Sequence, residues 1–372
     1  MRSSSEEVVA AVATAGAVRL GVVADDLTGA ADAAAPFAVR GLTVAVALTE
    51  AAPDAEVLAV LTDNRSRPAA EAAARTRAAV GRMRDRGAQR LFVKIDSVLR
   101  GQVRADVEGA LAAWPAPGAV ATPAFPGQGR TVRDGVLSVH GRQTEPQVAA
   151  HFPAGVEVVD AETHEDLVAV AHALVGAGRV AVGSGGLSRA LADVLVPQPC
   201  GAAVPAPATA VLVVAGTPHP VTRAQVAELE SAGAQVVLAG PAAVAVAAAA
   251  LAAGRRVVLA CEPDGEVEPE GPAAAALAAG LARTAVAVLA AAPGAGLVLT
   301  GGTTALAVAT ALGATEMRVL GEVAEGLPIG ELVAGDLRVP VVTKSGGFGA
   351  RDALLRAAEA IDAAEAALEA NA

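Results

Sequence analysis

Residues 18–24, VRLGVVA, form an apolar run interrupted only by Arg19 that stops at the polar stretch DDLTG; AADAAAPFAVRG then resumes with helical spacing and closes at Gly41. A short apolar run bounded by polar residues predicts a buried strand, and the glycine predicts the end of a helix. LTVAVALT, EVLAVLT, RLFVKI, GAVAT and RVAVGS follow as short Val-rich runs, several of them separated by helical segments. That alternation predicts a largely parallel sheet with helices packed on it. Residues 196–210, VPQPCGAAVPAPATA, carry four prolines among alanines and neither periodicity, and are read as a linker. Beyond them the alternation restarts with the strands VLVVA, AQVVLA, RRVVLA, GLVLT, MRVL and RVPVVT, with helices between several of them and a last helix from 350. The pattern predicts an α/β protein of two α/β domains with largely parallel sheets. A leader occupies 1–17, the first domain 18–195, the linker 196–210 and the second domain 211–372.

The length of 372 residues agrees with two domains, since it exceeds what one ordinary core accommodates. The two most apolar helical stretches, 242–254 and 273–292, are read as helices of a soluble protein. The first is shorter than the roughly 20 residues a bilayer span needs, and the second is alanine-rich and interrupted by Arg283. The N-terminus has acidic residues where a secretory signal has basic ones, so the expected compartment is cytoplasmic. Cys200 and Cys261 have no metal or redox spacing and fit that reducing compartment.

A net charge of -11 argues against nucleic acid or an anionic membrane as partner. Locally the sign reverses. Arg90, Lys94, Arg100, Arg104, Arg130 and Arg133 face only Asp96, Asp106 and Glu108 within their stretch, a basic island suited to a small anion. The chain has two lysines, Lys94 and Lys344, against 26 arginines, and both fall in stretches with other signs of chemistry.

Five such stretches stand out. In GVVADDLTGAADA, Asp25 and Asp26 close a strand and Thr28 opens a helix; the carboxylates suit a base, a metal ligand or a hydroxyl acceptor, and equally an ordinary helix cap. In VKIDSVLRGQVRAD, Lys94 and Asp96 share one side of a strand end, and Arg100 and Arg104 stand four apart. Cations for a carboxylate, with a carboxylate and Ser97 for hydroxyls, are the mixture an acid sugar requires. TPAFPGQGRTVRDG, 122–135, holds Gln128, Arg130, Thr131 and Asp134 and has too many Pro and Gly residues for regular structure, so it is read as a functional loop. LVLTGGTTALAVATALG and VVTKSGGFG each place glycines and hydroxyls after a strand, where backbone N–H groups converge on phosphate. No Walker A loop occurs, and the five histidines show no metal or triad spacing, which leaves them surface or capping roles.

Taken together, GVVADDLTGAADAA, VKIDSVLRG, TPAFPGQGRTVRDG, VGSGGLSRALA, GGTTA and VTKSGGFG resemble, in order and spacing, the four-carbon acid sugar kinases, over roughly residues 18 to 360. The resemblance implies transfer of phosphate from ATP, with Mg2+, to the terminal hydroxyl of threonate, erythronate or 3-oxo-tetronate. It implies an interdomain active-site cleft, with the acid on the N-terminal domain and ATP on the C-terminal one. Asp25, Lys94, Asp96, Arg100 and Arg130 fall on substrate-side motifs, with Asp26 orienting or deprotonating the attacking hydroxyl. Thr217, Gly301, Gly302, Thr303, Thr304, Gly346 and Gly347 fall on nucleotide-side motifs, and Lys344 is read as a catalytic cation for the moving phosphoryl group. The resemblance assigns no metal ligands. Thr303 stands where the family usually has aspartate, and GTPHP replaces a glycine-serine turn. The competing readings are a Mg-dependent sugar-acid phosphatase, against which the order D-D-L-T lacks the usual D-x-D, and a non-catalytic acid-sugar sensor. A homo-oligomer stays open.

Overall fold

The computed structural model describes residues 19–50, 53–198, 205–261 and 271–369. The expected leader, Cys200 and the middle of the 196–210 linker lie outside them.

In the N-terminal half β1 (Leu20–Ala24), β2 (Val44–Ala47), β3 (Val57–Leu61), β4 (Arg90–Lys94), β5 (Ala119–Thr122), β9 (Val156–Val158) and β10 (Val180–Gly183) pair in the order β2-β3-β1-β4-β10-β5-β9, all parallel. All but β9 are the Val-rich runs of the sequence, largely buried as parallel strands require; β9 is a short, partly exposed edge strand. In the C-terminal half β11 (Ala210–Ala215), β12 (Gln235–Leu238), β13 (Val257–Ala260), β14 (Ala295–Thr300) and β17 (Leu337–Lys344) are likewise parallel. The α/β class and the mostly parallel pairing are those expected. The two sheets, however, are continuous.

β17 continues antiparallel into β16 (Leu327–Ala334) and β15 (Glu316–Ala324), and β15 pairs antiparallel with β2, Met317 opposite Val46 and Val319 opposite Val44, so one sheet of 14 strands crosses both halves. β16 is absent from the sequence reading because Pro328 and Gly330 break its β pattern. Its partners on both sides supply the order that propensity does not.

The stretch expected to be irregular contains structure too. After a 3-10 turn at Pro126–Gln128, β6 (Arg130–Arg133), β7 (Val136–Val139) and β8 (Arg142–Glu145) form a separate antiparallel sheet. Asp134 and Gly135 join the first two strands with φ of 51° and 72°, the Asp-Gly hairpin turn whose backbone twist suits antiparallel strands.

Helix α1 (Leu27–Val39) holds the halves together. Every residue from Leu27 to Ala38 is buried. It packs on β1, β2 and β3 of its own half, on β15, β16 and β17 of the other, and against α9 (Gly302–Ala311). Six alanines and a glycine make it thin enough for neighbours to close on every side. Two irregularities in β15, between Val319 and Gly321 and between Glu322 and Ala324, accompany its passage over the helix. The apolar 273–292 stretch is mostly α8 (Pro272–Ala291), the one described helix long and apolar enough to cross a bilayer by length and composition; it packs on α9 and α7 (Ala243–Ala252), with Leu281, Ala282, Ala285 and Val288 buried.

Because the halves share α1 and the β2–β15 pair, calorimetry should show them melting in one transition. Two resolved transitions would mean that this junction does not couple them.

Candidate functional site

Polar residues follow the carboxyl ends of parallel strands in both halves, where open α/β sheets present ligand sites. Asp25 and Asp26 follow β1, Asp96 follows β4, Gly216 and Thr217 follow β11, Gly301 follows β14 and Ser345 follows β17. They meet around a cleft of about 510 Å³ lined by both halves.

On the N-terminal side the organising group is Arg65, which the sequence reading passes over. Its guanidinium lies 2.8 Å from Asp25 Oδ2, 2.8 Å from Asp26 Oδ2 and 3.6 Å from Asp96 Oδ2. Asp96 also accepts from Arg100 Nη2 at 2.6 Å and caps the turn through Val98 N–H. Two arginines thus hold three carboxylates, and Lys94 lies close behind. Burial by itself would raise all three carboxyls. For Asp26 the charges of Arg65 and Lys94 and the Gly29 N–H outweigh it and hold the group below its ordinary value. Arg100, Arg65 and Lys94 do the same for Asp96, whereas burial and the neighbouring Asp26 leave Asp25 raised. The opposite charges drive Arg65 well above its ordinary value despite its burial.

Asp26 caps α1 by accepting the Gly29 N–H, and its other oxygen faces the second half: a Cβ on Gly302 would stand 2.7 Å from it. Glycine at 302 is therefore what lets an N-terminal carboxylate reach the first turn of α9. Beside it Thr28 Oγ1 meets Ser345 Oγ at 3.2 Å. One turn on, Asp32 is 3% exposed with Oδ1 lacking a partner among the described residues; burial pushes its carboxyl up to about 7 against the pull of Lys94.

The C-terminal wall is built on the loop after β17. α6 (Pro220–Ser231) donates to its carbonyls, Thr222 Oγ1 to Gly346 O at 2.8 Å and Gln225 Nε2 to Phe348, Gly349 and Ala350 O at 3.0, 3.2 and 2.8 Å. Lys344 Nζ donates to Ser345, Gly346 and Phe348 O at 2.8, 3.3 and 3.2 Å. With these carbonyls tied inward, the N–H groups of Gly346 and Gly347 have no partner among the described residues. The first-turn N–H groups of α9 are the other donors at the cleft.

Of the fourteen residues expected to bind substrate or nucleotide or to act in catalysis, ten line the cleft: Asp25, Asp26, Arg100, Thr217, Gly301, Gly302, Thr303, Thr304, Gly346 and Gly347. Four do not. Lys94, 8% exposed, lies beneath Asp26 and donates to Ile95 O at 3.0 Å, and Asp96 stands behind Arg65 and Arg100. Arg130 turns toward the other half, its guanidinium 4.9 Å from the Phe348 ring centroid, donating to Gln128 O and, at 3.5 Å, to Gly347 O. Lys344, expected as a catalytic cation, does not line the cleft either. It is 0% exposed and its ammonium faces its own loop, not the cleft, because a buried cation takes the carbonyls nearest to it; burial pushes it down to about 7. Among the described residues no three His, Cys, Asp or Glu side chains gather as a metal site.

Residues 20–156 match the family model of a sugar-binding N-terminal domain, and 212–354 that of a nucleotide-binding C-terminal domain. The chain is 37% identical to a D-threonate kinase of Bordetella bronchiseptica, over 92% of this chain and 97% of that one. A D-threonate kinase of Cupriavidus necator is 35% identical over 50% of this chain and 57% of its own length, and a 3-oxo-tetronate kinase of Pseudomonas savastanoi is 30% identical over 47% of each. A crystal structure of a Haemophilus influenzae protein superposes with a TM-score of 0.68 over 92% of this chain and 100% of that one, at 20% identity, a likeness of fold.

Arg65→Met keeps much of the side-chain volume and leaves three carboxylates with too little positive charge, so unfolding at pH 7 should become easier by about 3 to 5 kcal/mol. Asp26 and Asp96 have lowered folded values, so their contribution is present above the unfolded carboxylate value and is lost as pH falls through the folded one. The gap between variant and wild type should thus narrow below about pH 4; a gap independent of pH would refute the clamp. Lys344→Arg must fit a planar fork into a cage built for a point donor, and should cost about 1 to 3 kcal/mol by thermal melt, with no loss if the cage has room.

Proposed function

The chain belongs to the four-carbon acid sugar kinase family, and from that premise we propose that it phosphorylates the terminal hydroxyl of a four-carbon sugar acid such as threonate, erythronate or 3-oxo-tetronate with ATP. The observation that carries the reading is the composition of the cleft's two walls. One presents carboxylates and arginines, the other unpaired backbone N–H groups, and they face each other a few ångströms apart at Asp26 and Gly302.

In this reading the N-terminal half, 18–195, holds the acid. Arg65 and Arg100 receive its carboxylate, and Asp25 and Asp96 keep those guanidinium groups in place and accept from hydroxyls. The C-terminal half, 211–372, holds the nucleotide. Phosphate oxygens take the N–H groups of Gly346 and Gly347 and of the first turn of α9, a helix terminus whose dipole favours anions, with Thr217, Gly301, Thr303 and Thr304 beside them. Lys344 acts from behind, by fixing the loop that presents those amides.

Phosphoryl transfer asks the protein mainly for position and charge stabilisation. The bond from the terminal phosphorus to the leaving nucleotide oxygen breaks as the bond to the acid's hydroxyl oxygen forms, and the hydroxyl proton passes to Asp26. Held ionised by Arg65 and Lys94, Asp26 is a weak base, suited to orienting the hydroxyl and taking its proton late. Mg2+ fits this cleft as a companion of the nucleotide: it binds through one or two carboxylates plus phosphate oxygens, and Asp26 is the carboxylate nearest the helix terminus. There it would neutralise phosphate charge.

Nucleotide consumption measured across D- and L-threonate, D- and L-erythronate and the 3-oxo acids should single out one or two acids. Erythritol and threitol, which bring no carboxylate to Arg65 and Arg100, should react worse by a factor corresponding to about 1.5 to 3 kcal/mol, the worth of a hydrogen bond to a charged group. Equal turnover of a tetritol would remove the carboxylate assignment, and no consumption with any acid would remove the kinase reading.

A further inference from the structure

His219 satisfies its capping expectation and does something more. Its Nδ1 accepts the Val221 N–H at 3.2 Å and so caps α6. A ring nitrogen that accepts a backbone N–H carries no proton, so in the neutral ring the proton sits on Nε2. That second nitrogen faces the glycines after β17. A Cβ on Gly347 would stand 3.1 Å from Nε2, so glycine there leaves the N–H tip uncovered, and the imidazole lines the cleft.

The surroundings keep the ring neutral. Although the residue is exposed, partial desolvation at the cleft, and then the positive charges of Lys344 on β17, Arg100 ahead of α3 (Val103–Ala113) and Arg130 on β6, place His219 below its ordinary value. These cations come from both halves. Gly347 beside it, and Gly346 before that, have N–H groups without a partner among the described residues. A fixed donor, two backbone donors and a positive field therefore converge where the acid-binding wall meets the nucleotide-binding wall.

We propose that His219 is a further catalytic residue, its Nε2–H donating a hydrogen bond to a non-bridging oxygen of the phosphoryl group in transfer. The inference rests on the kinase reading and deepens it. The ring exchanges no proton. It supplies a neutral donor at fixed height, while the phosphorus–oxygen bond to the nucleotide breaks and that to the acceptor forms. Such a bond counts toward rate only where it is stronger in the transition state than with bound ATP.

The test separates the donor from the cap. His219→Asn retains an acceptor suited to a helix N-cap and lacks the Nε2–H, whereas His219→Ala lacks both. We expect His219→Asn to melt like wild type and to lose roughly 10- to 100-fold in kcat, with KM for ATP and acid changed by less than about 3-fold. Unchanged kcat in His219→Asn, or a loss seen only in His219→Ala together with a lower melting point, would reduce His219 to a cap. Histidine 15N spectra give a readout without turnover. The free protein should show the Nε2–H tautomer, and a non-hydrolysable ATP analogue added with the acid should shift that resonance; an Nδ1–H tautomer or an unmoved signal overturns the inference. Wild-type protein that consumes no nucleotide with any acid refutes the underlying kinase reading, whereas active wild type with an equally active His219→Asn refutes only the step assigned here.

Discussion

The burial of α1 on every side is the constraint from which the rest of the molecule follows. A helix with both halves packed on it cannot be displaced without opening both, and its first residue is preceded by Asp26. The cap that starts the helix is thereby fixed at the junction. One oxygen of Asp26 is committed to the Gly29 N–H, and the other is turned to Arg65 and to the glycine that opens α9. Local helix chemistry and the meeting of the two walls are one arrangement.

Charge on the acid-binding wall is organised by scarcity. Three carboxylates converge on Arg65, with Arg100 shared by only one of them, and the result is an ionised Asp26 and Asp96 beside a raised Asp25. Both guanidinium groups are therefore already in use within the wall itself. The opposite wall reaches its donors by subtraction. Lys344, Thr222 and Gln225 occupy the loop's carbonyls, and the amides of Gly346 and Gly347 are what is left over. That suits position 344 to one of the chain's two lysines: three carbonyls within 3.3 Å of one nitrogen match a point donor better than a planar fork.

Much of this was legible in the sequence, for identifiable reasons. Strands buried on both faces announce themselves as apolar runs, and polar residues at their ends mark the cleft, so Asp25, Asp26, Gly302 and Gly346 could be found without coordinates. Arg65 obeys the same rule, since it follows β3 within the polar stretch TDNRSRP, but one arginine among others in an arginine-rich chain carries no contrast. Asp134–Gly135 was a readable hairpin signal hidden by the prolines before it. The direction of a side chain was not readable. Lys344 and Arg130 sit in the right stretches and point away from the cleft, because orientation is decided by which carbonyls and rings lie nearest, and those come from distant parts of the chain. The single sheet was hidden for the same reason: the β2–β15 pair joins residues some 270 positions apart.

Alanine in α1 has a consequence for distance. The helix is a spacer between two walls, and its thickness is set by methyl groups at positions such as Ala31, Ala33, Ala34 and Ala35, all at 0% exposure. Reaction between groups held on opposite walls tolerates errors of only about 1 Å before rates fall by around 10²-fold. One added methylene is of that order. The alanines of this helix therefore act as a gauge for the distance between the two walls and set a dimension of the cleft.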